Sequence, residues 1–572
     1  MTRFEWVMRQ CYEDGSEDNG QKCPVPSSYE EVLELLATQR GIDLDLLEDS
    51  SLAKLESYLS MRNFEEGARL VAEHLSKNHK IVIVGDYDCD GITSLAQWTF
   101  FLRDIGYSNF SVTIPHRSEG YGFPKRVVDE NLDAHIFIVN DCGTHDKEAI
   151  QAARDKRADV VVIDHHKIEN INRLAPATLL INPKHPQCPS CFKDFCSSGL
   201  TLLFLAKLRS FLPEYFEKPR LDARYQTLAA LGTIADVMPL TGANRIITKW
   251  GLQRINEGRF APLTVLKDLA GLKKRKLSAG HVGFYLAPRL NAPGRIDDPM
   301  IAFEFLTTAD SHSLSSLGQR LNHLNAQRQA EEARVFHKVI SYLTEMEASP
   351  TQRGRRGIVL VDKNWHPGVV GIVASRVVQE HHYGPVIIGS VGDDGLVRAS
   401  ARSIPGVDIC EVLSECEDCL LRWGGHEAAA GLSFEYSRLE EFSDRLESVL
   451  ARWPDHVFTR RLVVDCELPT RLISKELLEV LERLEPYGQG NPTPLFLSRN
   501  LRLTDVKVFG NGHRHLKLLF GCKFQGIMWR GGSFLPSYIK PGCRCNVVYH
   551  LEWDSRKEQC LMIVKDMEIY KT

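Results

Sequence analysis

Three short β-branched runs, each followed at once by acidic or imidazole side chains, constrain this chain more than any other feature. IVIV (81–84) leads into Asp86, Asp88 and Asp90, HIFIVN (135–140) into Asp141, and VVVI (160–163) into Asp164, His165 and His166. Helical stretches separate the runs, and this alternation predicts an α/β fold with a doubly wound, mainly parallel sheet. Because the carboxyl ends of parallel strands lie along one edge, we expect these side chains to share one crevice.

So many carboxylates repel each other unless cations lie among them. Mixed Asp and His ligands suit Mn²⁺, with Mg²⁺ suitable where carboxylates dominate, and Asp236 in GTIADVMPL is a further candidate ligand. Two such cations sharing a carboxylate predict hydrolysis of a phosphoester or phosphoanhydride. The alternative is that these aspartates only cap helices and form turns.

The rest of the chain divides by pattern into five segments. We predict an N-terminal helical region (1–78), a catalytic α/β domain (79–311), a connecting helix (312–349), a smaller α/β domain (350–455) and a C-terminal β-barrel (456–572). The barrel prediction follows from short alternating runs with glycine-containing turns between them.

Composition excludes several classes of protein. The 572 residues carry 70 Lys and Arg against 74 Asp and Glu, so bulk positive charge does not bind a polyanion here. Neither a secretory signal nor a membrane-spanning run is found, and the 15 cysteines are scattered; we therefore expect a cytoplasmic protein with reduced thiols.

The acidic motifs resemble a known superfamily. GDYDCDGITS, VNDCGT, VIDHHK and ADVMPL resemble, in this order, the four phosphoesterase motifs of the DHH superfamily, and GGHEAAAG (424–431) resembles the motif of the associated DHHA1 domain. Within the superfamily, the chain resembles the RecJ family of single-strand-specific DNA exonucleases. Four stretches support this narrower match: PHRSEGYG (115–122), APRLNAPGR (287–295), LNHLNAQRQ (321–329) and LEPYGQGNPTPLF (484–496).

The resemblance implies roles for individual residues. The implied metal ligands are Asp88, Asp90, Asp141, His165 and Asp236, with Asp141 as a candidate bridge. Supporting or proton-donating roles are implied for Asp86, Asp164 and His166, although ligation by Asp86 or His166 stays open. A 5′-phosphate site is implied for Arg117, Ser400 and Arg402, and DNA contacts for Arg289, Asn291, Arg295, Gly424, Gly425 and His426.

The implied activity is metal-dependent 5′→3′ hydrolysis of single-stranded DNA to 5′-mononucleotides in recombination and repair. The implied partners are a single-strand-binding protein and a helicase, and we expect a monomer. One alternative is a small-substrate phosphoesterase that acts on pyrophosphate, a cyclic dinucleotide or very short RNA. Another is a non-catalytic DNA-binding scaffold.

The C-terminal segment is the predicted source of strand-binding charge. Residues 496–572 hold 13 Lys and Arg against six Asp and Glu. Between its first and last aromatic residues, Phe496 and Tyr570, the segment holds eight more, namely Phe509, Phe520, Phe524, Trp529, Phe534, Tyr538, Tyr549 and Trp553. Basic residues with exposed aromatics are typical of OB-folds that bind single strands, although we expect at least half of these rings in the barrel core.

One cysteine-rich stretch leaves a question open. His185, Cys188, Cys191 and Cys196 have a spacing that a structural zinc site can use, yet the stretch also reads as a surface loop.

Overall fold

Buried β-branched residues build a five-stranded parallel sheet at the centre of the fold. The strands lie in the order Phe110–Thr113, Ile81–Gly85, Ile136–Asn140, Asp159–Ile163, Leu179–Ile181. The central strands are buried on both faces, as is usual for parallel sheets covered by helices. Gly85, Asn140 and Ile163 are paired in register, so the residues that follow them emerge at the same edge.

This is a computed structural model, and it describes residues 4–9, 23–48, 50–168, 170–349, 352–510, 515–534 and 539–570, without the side chains of Glu48, Ser118, Ser533 and Phe534. The described chain forms two compact units. The first unit contains Met8–Asn322 and Val463–Thr572, and the second contains Phe4–Val7 and His323–Leu462. Among the described residues, no helix combines the length and apolar character needed to span a bilayer.

Helices cover both faces of the parallel sheet in the first unit. The helix Cys89–Asp104 is buried along almost its whole length because it lies between the sheet and other helices. The other helices of eight or more residues are Tyr29–Gln39, Phe64–Ser76, Lys147–Asp155, Ser197–Arg209, Ala223–Ala235, Gly242–Asn256, Ala261–Leu269, Met300–Thr307 and Lys475–Glu482. Shorter α-helices are Leu44–Glu48, Lys125–Glu130, Ala279–His281, Ala287–Asn291 and Pro293–Ile296.

The C-terminal part of the first unit is a closed five-stranded barrel. Its strands lie in the order Phe496–Phe509, His515–Phe520, Phe524–Met528, Gln559–Tyr570, Arg544–Asp554, and the last pairs with the first. The short strand Cys466–Glu467 adds to Phe496–Phe509. The N-terminal helix Tyr29–Gln39 shares one apolar core with the barrel, so this stretch packs on the barrel rather than forming a core of its own.

The second unit is built on a mixed five-stranded sheet. Its strands lie in the order Arg422–His426, Ala429–Glu435, Leu396–Arg402, Val386–Val391, Ile358–Asp362, and only the last pair is parallel. The helices Pro367–Glu380, Ile409–Ser414 and Leu439–Leu450 belong to this unit. The helix Ser311–Ala348 has 38 residues and passes in sequence from the first unit into the second.

The prediction of a purely helical N-terminal region was wrong in one place. Glu5–Met8 is a strand, and the Glu5 N–H donates to the carbonyl of Arg460 at 2.9 Å. Four residues are too short for an alternating pattern to stand out, and their conformation depends on a distant partner.

Candidate metal centre

The sheet brings the predicted acids to one edge. Asp86, Asp141 and Asp164 directly follow the in-register ends of three adjacent strands, two of which flank the point where the strand order reverses. Ligands bind at this point in open α/β sheets. Asp141 has a φ of 64°, a left-handed conformation that a non-glycine residue rarely adopts.

Ligand atoms at this edge fall into groups that are close enough to share a cation. Asp86, Asp88 and Asp141 offer oxygens within 4.8 Å of one another. Asp90, His165 and Asp236 form a second group by the same measure. We call these six residues together the metal cluster.

Asp141 connects the two groups. His165 Nε2 lies 3.2 Å from Asp141 Oδ1, 3.7 Å from Asp90 Oδ2 and 3.5 Å from Asp236 Oδ2. One imidazole nitrogen thus faces three carboxylates, and one of these carboxylates also belongs to the other group. This arrangement fits two cations with Asp141 between them.

Two of the acids also hold helix ends in place. Asp88 caps the helix Cys89–Asp104, because its Oδ1 accepts hydrogen bonds from the N–H groups of Asp90 and Gly91 at 2.9 and 3.2 Å. Asp90 accepts the N–H groups of Ser197 and Ser198 at 2.7 and 2.9 Å, at the start of the next buried helix. The helix-cap interpretation therefore holds for Asp88, together with its place in the cluster.

Asp164 and His166 form a third group with Asp141 and His165 by the same measure, but the oxygens of Asp164 are occupied by hydrogen bonds. Its Oδ1 accepts a hydrogen bond from the His165 N–H at 2.7 Å and lies 2.7 Å from His166 Nδ1. Its Oδ2 accepts from the hydroxyl and N–H of Thr144. With both oxygens occupied, Asp164 orients the His166 ring, while the Tyr121 hydroxyl lies 3.0 Å from His166 Nδ1.

Burial and like charge dominate the electrostatics of the cluster. Burial, followed by the charge of Asp88, raises the pKa of Asp86 and Asp90, the latter to about 6. Burial and the neighbouring Asp90 also raise the pKa of Asp141 and Asp236. Cations among these carboxylates remove this penalty.

In the Asp164–His166 pair, both pKa values shift so that the charged forms are favoured. Burial alone would raise the pKa of Asp164, but the His166 charge lowers it well below its usual range. Burial alone would lower the pKa of His166, but Asp164 raises it to about 9. The pairing with Asp164 therefore favours the protonated form of the His166 ring.

Arg117 lies beside the loop that carries Asp86 and Asp88. Its Nε donates to the carbonyl of Gly294 at 3.0 Å, and its guanidinium carbon lies 4.4 Å from the centre of the Tyr87 ring. A Cβ on Gly294 would lie 2.5 Å from the Tyr87 carbonyl oxygen. Only glycine at position 294 therefore allows its backbone to approach the Tyr87 backbone this closely. The ring and the carbonyl thus hold one face and one edge of the guanidinium.

The predicted DNA-contacting residues Arg289, Asn291 and Arg295 lie on two short helices before the long one. Arg289 Nε donates to Asn322 Oδ1 at 3.0 Å, and its Nη1 donates to the Tyr285 carbonyl at 2.5 Å. Asn291 Oδ1 is buried and accepts no hydrogen bond. Burial raises the pKa of the Tyr87 phenol, and the positive charge of Arg295 opposes this increase.

In the second unit, Ser400 and Arg402 lie together on one strand. Arg402 Nε donates to Ser375 Oγ at 3.1 Å. A Cβ on Gly371 would lie 3.0 Å from Arg402 Nη2 and 3.2 Å from Ser400 Oγ, so both side chains approach the helix Pro367–Glu380 closely at a glycine. Their predicted role in binding phosphate stays a prediction.

The glycine-rich motif at 424–431 forms a β-hairpin. Gly424, Gly425 and His426 end the exposed strand Arg422–His426, which pairs with Ala429–Glu435. A Cβ on Gly425 would lie 2.3 Å from the Ala429 carbonyl, so the tight hairpin requires glycine there.

The cysteine-rich stretch does not form a metal site among the described residues. His185, Cys188, Cys191 and Cys196 are absent from the groups of His, Cys, Asp and Glu that are close enough to share an ion in the described part of the chain. Cys196 instead caps the helix Ser197–Arg209, with Sγ accepting the Gly199 N–H at 3.3 Å.

Tyr121 and Ser197 were missed by the reasoning from sequence. The Tyr121 hydroxyl donates to the Asp141 carbonyl at 2.8 Å, and so contacts both the cluster and His166. The sequence signal for Tyr121 is its place in PHRSEGYG, the motif that also contains Arg117. Ser197 has no such signal, because it contributes only a backbone N–H at the start of a helix.

Three family models match the chain. The DHH family N-terminal domain matches residues 80–233, the DHHA1 domain matches 354–452, and the RecJ OB domain matches 464–565. The single-stranded-DNA-specific exonuclease RecJ of Dickeya dadantii is 32% identical over 526 residues, which cover 89% of this chain and 90% of that protein. The chain belongs to the RecJ family.

Other RecJ proteins agree with this assignment. The Thermus thermophilus exonuclease RecJ is 35% identical over 488 residues, covering 84% of this chain and 68% of that protein. A crystal structure of RecJ from Thermus thermophilus in complex with Mn²⁺ matches with a TM-score of 0.80 at 30% identity, over 95% of this chain and 76% of that one. A Mg²⁺ complex of the same RecJ matches with a TM-score of 0.74 at 29% identity, over 94% and 75% of the two chains. The predicted fold class and the predicted RecJ resemblance are confirmed.

Proposed function

We propose that this chain is a single-stranded-DNA-specific exonuclease that uses two divalent cations and works from the 5′ end. One observation carries the proposal: two groups of ligands meet where Asp141 of one lies 3.2 Å from His165 of the other, in a chain whose relatives are named single-stranded-DNA-specific exonucleases. The polarity and the individual residue roles are part of the proposal.

The donor set fits Mn²⁺ or Mg²⁺. Asp86, Asp88 and Asp141 offer only oxygen, while Asp90, His165 and Asp236 add one nitrogen. Asp86 Oδ1 is buried and accepts no hydrogen bond, as expected of an oxygen aimed at a cation. Cations held by these residues would supply an activated water and would stabilise charge on the phosphate oxygens.

The proton for the leaving oxygen comes from His166 in this proposal. Asp164 holds the ring through Nδ1 and raises its pKa to about 9, so the imidazolium is the form present at neutral pH. A protonated ring beside the cluster can donate to the departing 3′-oxygen of the cleaved bond. Tyr121 restrains the same ring and the Asp141 backbone.

Arg117 is the proposed anchor for the terminal phosphate. A planar guanidinium forms paired hydrogen bonds with phosphate oxygens, and its orientation here is set by Tyr87 and Gly294. A fixed distance between this group and the cluster would place the same bond at the cations after each cleavage. This register is the proposed origin of the 5′→3′ direction.

The barrel supplies a candidate surface for the strand. The rings of Phe509, His515 and Trp529 contact each other, with centroids 5.0 to 5.9 Å apart, and Trp529 is 52% exposed. On the same antiparallel strands, Lys507 and Lys517 are cross-strand partners, and the charge of Lys557 lowers the pKa of Lys517. Accumulated positive charge beside exposed rings is suited to a single strand.

The other aromatic residues of the barrel divide between core and surface. Phe520 and Tyr549 are buried in the core, as expected for part of the set. Trp553 is 39% exposed and Phe524 is partly buried. The Phe534 side chain and Tyr538 lie outside the described residues.

The test is digestion of 5′- and 3′-labelled single strands with Mn²⁺, Mg²⁺ or a chelator. We expect the 5′ label to be released first as a mononucleotide, no cleavage in chelator, and little cleavage of blunt duplex. Asp141→Ala should abolish hydrolysis and retain binding of the strand, whereas Asp129→Ala, which removes an exposed carboxylate paired with Lys156, should leave both intact.

Two results would contradict the proposal. Release of the 3′ label first would overturn the polarity. Hydrolysis of pyrophosphate or a dinucleotide with no action on long strands would favour the small-substrate alternative. The predicted protein partners, a single-strand-binding protein and a helicase, stay predictions for binding experiments.

A further inference from the structure

An exposed aromatic pair lies on an unusual turn next to the metal cluster. Val282–Leu286 forms one π-helical turn, and within it the side chains of Phe284 and Tyr285 are 83% and 45% exposed. Single exposed apolar residues are common, but two adjacent large rings with such exposure are costly in water unless something covers them. π-helical turns occur often at functional sites.

The contacts of the segment place this turn beside the cluster. A Cβ on Gly283 would lie 3.5 Å from Ile234 Cγ2, two residues before Asp236 in sequence. At the other end of the segment, Gly294 packs against the Tyr87 carbonyl, between Asp86 and Asp88. Residues 283–294 therefore run past the cluster, with the two rings at the Asp236 end.

The backbone after Asp236 has a second unusual feature. Val237 has a φ of 55° and is 64% exposed, although β-branched residues rarely adopt this conformation. Backbone strain of this kind persists at functional sites. The Asp236 end of the cluster thus has exposed apolar groups on both neighbouring segments.

Arg289 places a cation next to the two rings. Its Nη1 donates to the Tyr285 carbonyl at 2.5 Å, so a guanidinium lies directly beside the turn. A ring for a base and a cation for a phosphate are the two elements of single-strand recognition. Surface rings with no role in binding would not require a neighbouring guanidinium.

We propose that Phe284, supported by Tyr285, is a stacking platform for an unpaired nucleobase of the substrate strand beside the metal cluster. The inference rests on the proposed function and deepens it. Every base has a π-face, so this contact tolerates any sequence, but a base within a duplex is already stacked and paired. The platform would thus contribute to the selection of single strands at the site of cleavage itself.

The first test is fluorescence of single strands that carry 2-aminopurine at successive positions, bound to the full chain with Asp141→Ala and Mn²⁺. We expect strong quenching at one position near the 5′ end. Adding Phe284→Ala should remove that quenching, and Phe284→Leu should remove it as well, because leucine keeps apolar area but has no π-face. Tyr215→Ala, which removes a 69% exposed ring outside the proposed site, should change nothing.

The second test is kinetic. Since stacking on an aromatic side chain contributes about 1–3 kcal/mol per base, Phe284→Ala in the otherwise native chain should raise KM for a long single strand roughly 5- to 100-fold. Phe284→Trp should restore it. The increase in Tm on adding Mn²⁺ should be the same in the native chain, in Phe284→Ala and in Phe284→Trp, which would show that the cluster is intact.

The outcomes separate this inference from the proposed function. Unchanged quenching and unchanged KM in Phe284→Ala would overturn the platform, even if the chain degrades DNA as proposed. If the native chain degrades no DNA, the proposed function fails, and the quenching test still reports whether Phe284 stacks on a base. Equal quenching in Phe284→Leu and the parent would show apolar packing instead of stacking, and would also overturn the inference.

Discussion

Two aspartates of the metal cluster both accept backbone hydrogen bonds at helix ends and contribute candidate ligand atoms. Asp88 caps a helix while it faces Asp86 and Asp141, and Asp90 receives two backbone N–H groups while it faces His165. The helix ends thereby hold the carboxylates in one orientation before any cation binds. Such a cluster has little room for change in its close neighbours.

Gly232 tests how tightly Asp90 is held. A Cβ at this position would lie 2.7 Å from Asp90 Oδ1 and 2.5 Å from Ser198 Cβ. We expect Gly232→Ala to destabilise the protein by about 1–3 kcal/mol and to diminish the Tm increase on adding Mn²⁺, because Asp90 must move. Thermal unfolding with and without Mn²⁺ measures both effects.

Gly199→Ala is the matched control for Gly232→Ala. It also lies in a buried helix, but the nearest atom to a new Cβ is 3.6 Å away. We expect an unchanged or slightly higher Tm and a normal Mn²⁺ response. Equal behaviour of the two variants would show that Asp90 is not held as described.

Tyr87 is expected to act as a positioning residue for Arg117. Since a cation over an aromatic face contributes about 0.5–2 kcal/mol, Tyr87→Leu should lower the preference for a 5′-phosphorylated over a 5′-hydroxyl strand by roughly 2- to 30-fold. Tyr87→Phe keeps the ring and should keep the preference. The ratio of kcat/KM for the two strands is the measurement, and an unchanged ratio in Tyr87→Leu would contradict this role.

At the scale of elements, the two edges of the parallel sheet differ in chemistry. The carboxyl edge gathers acids, whereas the amino edge gathers three histidines. His79 Nδ1 lies 3.0 Å from His74 Nδ1, His74 Nε2 lies 3.1 Å from Asp159 Oδ2, and the rings of His79 and His135 stack at 4.2 Å. The surrounding cavity is also lined by charged residues, namely Glu73, Lys77, Asp133, Lys156 and Arg157.

This histidine group should make the free energy of unfolding decrease as the pH falls. Burial lowers the pKa of His74 against the opposing effect of Asp159, and burial with the nearby His135 lowers the pKa of His79. Below the ordinary histidine pKa of about 6.5, the unfolded chain binds more protons than the folded one, so stability falls as pH falls. We expect His79→Phe, which keeps the ring stack, to reduce the loss of Tm between pH 7.5 and 5.5.

The control for this pH effect is His312→Gln, on the exposed start of the long helix. It should leave the pH dependence of Tm close to that of the native chain. A native-like loss of Tm in His79→Phe would contradict the assignment of this acid sensitivity to the histidine group.

At the scale of the whole molecule, folding and cation binding are coupled through the cluster. The raised pKa of Asp90, about 6, means that without cations stability is lost as pH rises through this value, the opposite sense to the histidine group. Cations that bind only the folded state reverse this loss. Stability at neutral pH should therefore depend on Mn²⁺ or Mg²⁺.

Asp141→Asn measures this coupling. In chelator, the variant should have a higher Tm than the native chain, because one of the buried like charges is gone. Added Mn²⁺ should raise the Tm of the native chain by several degrees and that of the variant little. If Mn²⁺ raises both equally, Asp141 does not connect the two ligand groups.

Charge is also divided at the scale of the molecule. A chain with a net charge of −4 concentrates 13 Lys and Arg against six Asp and Glu in its last 77 residues. In the described part of the barrel, Lys517 and Lys507 are cross-strand partners, where like charges destabilise the pair. A bound polyanion would relieve this repulsion.

Much of this protein was predictable from its sequence because the relevant signals are local. A β-branched run followed by an acid predicts both a buried parallel strand and the side chain at its end, so the sheet and its acidic edge were predicted together. The choice of Asp88, Asp141 and His165 as ligands came from the family resemblance. Long-range partners were not predictable in this way. The strand at Glu5 depends on Arg460, which is distant in sequence. The hairpin at Gly425 and the helix-cap role of Cys196 are local, but they depend on backbone geometry that the residue types do not specify.

The sequence by itself determined which residue types end each strand, and therefore the class of chemistry at that edge. Only the tertiary structure decided how the acids divide, with Asp164 committed to His166 and Asp141 placed between two groups. The structure also places the Phe284 side chain on the surface, which its apolar character does not predict. The physical reason is that burial, hydrogen-bond partners and distance between ligands are properties of packed neighbours, and a linear sequence does not contain them.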